Sequence, residues 1–144
     1  MKAFLALMVA LLILGCAQVQ KDTQTLTIST GQGKVVLDVK VVSTPQEKEQ
    51  GLMFQDHLGK DEGMWFVFEE PRPYSFWMKN TLIPLDMIFV DSNLDIVDIL
   101  PADPCTADPC PIYTPKADAK YVLEVNQNFT VRAGVKAGNN VKVG

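Results

Sequence analysis

The sequence predicts a mainly β protein, a compact antiparallel β-sandwich or partly closed barrel with one short helix. Period-two alternation recurs along the chain, as in Leu26-Thr27-Ile28 and again at Val35, Leu37, Val39 and Val41. Only Thr44-Pro45-Gln46-Glu47 carries the chemistry of a helix start. Glycine, proline and Asp/Asn/Ser clusters separate the apolar runs at short intervals, as the turns of an all-β domain require.

At the front, Lys2 precedes an apolar run from Ala3 to Leu14. The run is too short to span a bilayer and suits the core of an export signal. It ends in Ile13-Leu14-Gly15-Cys16, which resembles the lipobox of a lipoprotein, with Cys16 as the acylated first residue of the mature chain. Each buried methylene contributes about 0.8 kcal/mol, so several acyl chains hold a protein on a membrane without a transmembrane helix. An ordinary secreted protein is the competing reading of the same residues. Residues 1–15 are read as a lipoprotein signal peptide, 16–24 as a polar tether and 25–144 as a single domain with one core. The expected location is extracytoplasmic and lipid-anchored. Ala17 after the cysteine favours the outer membrane, facing the periplasm, if the host has two membranes.

Within the domain, Thr25 to Ile28 and Val35 to Val41 form a hairpin through the Gly31–Gly33 turn. Thr44 as N-cap, Pro45 at the first helical position and Glu47 three residues after the cap predict a helix from Pro45 to about Leu52, which Gly51 ends or packs closely. Gly63 to Glu69 and Tyr74 to Lys79 read as strands joined by Glu70-Pro71-Arg72-Pro73. Leu85 to Val90 and Asp95 to Leu100 read as a hairpin around Asp91-Ser92-Asn93. Pro101 to Lys120 is irregular, Tyr121 to Val125 is a strand, and Val135 to Val143 closes the sheet.

Successive motifs carry a family resemblance: Gly51-Leu52-Met53-Phe54, Gly63-Met64 with Phe66 to Phe68, Phe76-Trp77-Met78-Lys79-Asn80-Thr81 with Pro84-Leu85-Asp86, and Tyr121-Val122-Leu123-Glu124-Val125 with Gly134 to Gly138. Together they resemble DUF192, a bacterial and archaeal domain of unknown function, over nearly all of the chain after about residue 25. The resemblance implies a small β domain and no assigned activity. Asn126 to Asn128 and Asn139-Asn140 depart from the family's pattern.

The charge balance narrows the partners. With 13 basic and 17 acidic residues, a net charge of −4 and no basic cluster, nucleic acid is not expected. The expected partners are the membrane, through Cys16, and a small polar ligand or peptide. Cys105 and Cys110 share a proline-rich loop, and in an exported chain they most simply form a disulfide that stiffens it. The proposed ligand-binding set is Trp77, Lys79, Asn80, Asp86 and Glu124, with aromatic area beside groups that can orient a ligand.

Glu124 interrupts an apolar strand, which usually signals an ion pair or bonds to backbone amides. Lys79 or Arg72 paired with Asp86 or Glu124 would make the corner purely structural. Asp86 and Glu124 acting together as acid and base would make it a hydrolase of an envelope component. Trp77 is expected in the core, where truncation would cost a few kcal/mol. His57, the one histidine, has no partner that signals a triad or a zinc site. Met53, Met64, Met78 and Met87 are read as core filler in preference to Cu(I) ligands. No cofactor or metal is expected. Three functional readings follow: an extracytoplasmic binding or interaction module, an envelope hydrolase, and a structural lipoprotein with no ligand.

Overall fold

The computed structural model describes residues 23–144. The signal peptide, Cys16 and all but the last two residues of the tether lie outside the described residues. Thr23 and Gln24, read as the end of the tether, already belong to the first strand. The elements are β1 (Thr23–Thr30), β2 (Gly33–Val42), α1 (Pro45–Gln50), β3 (Glu62–Arg72), β4 (Phe76–Trp77), β5 (Leu85–Val90), β6 (Ile96–Ala102), β7 (Ile112–Tyr113), β8 (Ala119–Asn126), α2 (Phe129–Ala133) and β9 (Asn140–Val143).

Seven strands form one curled sheet in the order β6-β5-β8-β3-β2-β1-β9, and β4 pairs with β7 in a separate ribbon. All pairings are antiparallel except β2 with β3, which are parallel and joined through α1. The edges of the sheet approach at one end, where Asp95 bridges Asn140. There the Ile96 amide donates to the Asn139 carbonyl at 2.9 Å and the Val141 amide to the Leu94 carbonyl at 2.8 Å. The result is a half-barrel, and the predicted mainly β class holds.

Several local expectations need correction. Tyr74 to Lys79 does not pair back onto Gly63 to Glu69; only Phe76–Trp77 is a strand, and its partner is β7 from the stretch read as irregular. A second helix, α2, follows β8. Trp77 is 47% exposed, while Trp65 is 1% exposed and is the tryptophan of the core.

The central strands are apolar on both faces, and each face packs its own cluster. Inside the curl lie Leu26, Leu37, Trp65, Ile88, Val90, Leu123 and Val125, capped by Phe129 of α2. On the outer face lie Met64, Phe66, Met78, Leu85, Met87, Phe89 and Val122. This double burial explains why β5 is a continuous apolar run broken only by Asp86. Met64, Met78 and Met87 fill that outer layer, as their unbranched, adaptable side chains allow.

Candidate ligand-binding site

Glu124 and Asp86 lie on neighbouring strands, and register decides where each points. Glu124 stands opposite Met64 of β3 and Met87 of β5, whereas Asp86 stands opposite Val125. Since side chains alternate along a strand, the two carboxyl groups project from opposite faces of the sheet. They cannot act on one bond as an acid and base pair, so the geometry removes the basis of the two-carboxylate hydrolase.

Asp86 faces the inside of the curl and is fully engaged. Its Oδ2 accepts from the Thr130 hydroxyl at 2.7 Å and the Thr130 amide at 3.0 Å, and its Oδ1 accepts from the Asn128 amide at 3.3 Å. Asn128, the residue before α2, is left-handed with φ 65° and makes no side-chain cap of its own. Asp86 therefore supplies the cap from another strand, satisfying amides that a short helix leaves without partners.

Glu124 faces the outer layer and is 5% exposed. Its side chain makes no hydrogen bond or ion pair among the described residues: their salt bridges are Lys60–Asp61 and Lys79–Asp108. Burial without a compensating donor pushes its carboxyl up to about 8. The expected pairing with Lys79 or Arg72 is absent; Lys79 instead approaches Asp108 at 3.4 Å, and Arg72 is exposed. Glu124 lines a cleft of about 270 Å³.

The cleft is built from three directions. Glu124, flanked by the two methionines, is at its base, and Phe66 of β3 lies beside it. One wall is aromatic: Phe68 stacks on Tyr74 with centroids 3.7 Å apart, and Phe76 meets Phe66 edge-on at 5.3 Å. Tyr74 is fixed by its hydroxyl, which donates to the Glu70 carbonyl at 2.7 Å, and Trp77 continues this wall to the rim. The opposite wall is α1 with the following turn, Lys48 to Met53. The Lys48 ammonium donates to the Val67 carbonyl at 2.9 Å and lies 4.7 Å from the Phe68 centroid. Ser75 and Thr81 complete the lining.

Two glycines permit this close construction. A Cβ on Gly63 would stand 2.8 Å from the Glu124 carbonyl oxygen, so only glycine lets β3 approach β8 there. Gly51 has φ 47° and a Cβ on it would meet the Phe66 ring at 3.3 Å, so it both ends α1 and lets the turn close over the aromatic floor.

Of the residues proposed from sequence, Trp77 and Glu124 share the cleft, while Lys79, Asn80 and Asp86 are not in its lining. Asn80 is left-handed at φ 56° and its carbonyl accepts from the Phe54 amide at 2.8 Å, a turn-forming role. Cys105 and Cys110 are joined by a disulfide. Their loop is tied to the segment after Trp77 by the Cys105 amide, 3.4 Å from the Met78 carbonyl, and by the Lys79–Asp108 pair. Sequence reasoning missed Lys48, Phe66 and Phe68 as cleft residues; the Gly51-Leu52-Met53-Phe54 motif following Lys48 was the available signal. A second hollow, beyond Gly51 and Leu52, is lined by Asp38, Lys40, His57 and Glu62, all exposed, and so buries no charge.

Comparison with known proteins agrees with this architecture. A crystal structure from Sinorhizobium meliloti 1021, described as a "putative transcription regulator", is 34% identical and superposes with a TM-score of 0.80, covering 88% of this chain and 97% of that one. A protein of unknown function from Novosphingobium aromaticivorans DSM 12444 is 33% identical with a TM-score of 0.78, covering 83% of this chain and 84% of that one. No functionally curated protein matches the chain. The family model that matches is DUF192, "Uncharacterized ACR", over residues 26–143. By that match and by its likeness to these two structures, the chain belongs to the DUF192 family.

Proposed function

We propose that this protein is a membrane-anchored, extracytoplasmic binding module whose ligand enters the cleft over Glu124. One observation carries the reading: Glu124, a residue only 5% exposed, has no protein partner for its carboxyl among the described residues and lines an aromatic-walled cleft. An unpaired buried carboxyl is destabilising, and a structural role would be served better by a leucine or a paired acid. Asp86, fully bonded one strand away, shows what a structural carboxylate looks like in this fold. The anchor rests on the apolar segment ahead of Cys16; Cys16→Ser should move the protein from the membrane to the soluble fraction, and unchanged membrane association would remove the lipid anchor. The transcription regulator described for the S. meliloti relative is not carried over, because this chain is acidic and lacks a basic cluster.

The two tryptophans supply the binding test. Trp77 lines the cleft and Trp65 is sealed inside the curl. The full chain, labelled at the indole nitrogens and held in a non-ionic detergent, is titrated with envelope fragments and short peptides. A shift of the Trp77 indole resonance with a still Trp65 resonance is the expected result. Silence at Trp77 throughout would return the protein to the structural lipoprotein reading.

A further inference from the structure

The chemistry of the cleft narrows its ligand, on the reading that the cleft is a binding site. We propose that it takes an organic cation, a protonated amine whose ammonium sits on the Glu124 carboxylate and whose apolar body lies against Phe66, Phe76 and Trp77. Of the two carboxyl groups in the lining, Glu49 is exposed on α1 and only Glu124 is buried, set between Met64 and Met87 of the adjacent strands. One buried carboxyl has too few oxygens for a hard divalent ion, which takes six or so, but it matches one ammonium. The aromatic wall suits the same charge, since ring faces attract cations and do so more strongly once water is excluded. The protein already uses this wall so: the Lys48 ammonium lies over Phe68 at 4.7 Å.

Charge balance agrees. Lys48 and Glu49, both from α1, are the other charged residues of the lining and are of opposite sign. Glu124 therefore decides the net charge of the cleft. Without ligand its carboxyl keeps a proton up to about pH 8. A bound ammonium replaces that proton, which leaves to solvent, so the cation supplies the partner that the fold withholds.

Benzylammonium is the probe, with benzyl alcohol as its neutral counterpart, titrated calorimetrically into the full chain in non-ionic detergent. Three results are expected. Benzylammonium binds and shifts the Trp77 indole resonance. Release of about one proton accompanies binding near neutral pH, and affinity rises by up to about tenfold per pH unit towards pH 8. Glu124→Gln, which keeps the shape and removes the charge, weakens binding by about tenfold or more. Benzyl alcohol binding as well as benzylammonium, with no proton released and with affinity falling as pH rises, would overturn the cation while leaving the binding cleft intact. Failure of both probes and of every envelope fragment at Trp77 would overturn the cleft itself.

Discussion

The two faces of the sheet each hold one buried carboxyl group, and each side has a tryptophan, Trp65 in the sheet itself and Trp77 in the β4–β7 ribbon; the two sides treat them in opposite ways. Inside the curl, Asp86 receives three donors and Trp65 is sealed, stacked on Tyr121 with centroids 5.0 Å apart. On the outer face, Glu124 receives none and Trp77 stands half in solvent. Burial alone therefore says little about the role of a carboxyl group. Whether its hydrogen-bonding capacity is met by the protein separates an element of the fold from a group left open to something else.

Substitutions can break this contrast, and the largest effect belongs to the inner face. Trp65→Ala should cost about 3–5 kcal/mol as a core truncation, measured by urea unfolding. Asp86→Ala comes next, at about 2–4 kcal/mol, because the amides of Asn128 and Thr130 lose their acceptor and α2 its cap. Asp86→Asn should recover part of that loss. A cost below that of an ordinary surface change would show that α2 does not depend on Asp86.

Glu124→Gln separates the faces through pH. The Glu124 carboxyl is raised from its ordinary 4.5 to about 8 in the folded protein, so between these values the native state holds a proton that the unfolded state has lost. Wild-type stability should fall across that window, by roughly 1 kcal/mol per pH unit, and level off above pH 8. Glu124→Gln should match the wild type near pH 4 and exceed it at pH 9, as read from unfolding curves across the range. Parallel pH profiles would mean that Glu124 has a partner after all. The smallest effect is Trp77→Ala, within about 1 kcal/mol because the ring is already at the surface; loss of several kcal/mol would place Trp77 among the structural residues.

What the sequence made legible was local. The capping box at Thr44 and Glu47 is a contact between near neighbours, and it forms as expected, with the Glu47 amide donating to the Thr44 hydroxyl and the Glu47 carboxylate accepting from the Thr44 amide. The β5–β6 hairpin likewise follows from Asp91, whose Oδ1 accepts from the Asn93 and Asp95 amides. Glu124 stood out because a carboxylate in an apolar strand is a local anomaly. Its orientation relative to Asp86 was not legible, since it depends on the register between β5 and β8, and a shift of one residue would reverse it. α2 escaped because its cap comes from Asp86, 42 positions before Asn128. The β4–β7 ribbon escaped because two-residue strands carry no periodicity.

One wall of the cleft is built more lightly than the rest. α1 has six residues and none of them is buried, and so short a helix has little stability of its own. Its own turn is held by the capping box and by the Gly51 amide on the Glu47 carbonyl, and the Lys48 ammonium on the Val67 carbonyl ties it to β3. The amides of Thr44 and Ser43 hold the Glu47 carboxyl below its ordinary range, so protonating it in acid releases both donors and loosens the helix start. That wall is therefore expected to open in local fluctuations at a lower free-energy cost than the sheet. Amide hydrogens of Lys48 and Gly51 should exchange well before those of Leu123 and Val125, and an occupant should slow the first pair selectively.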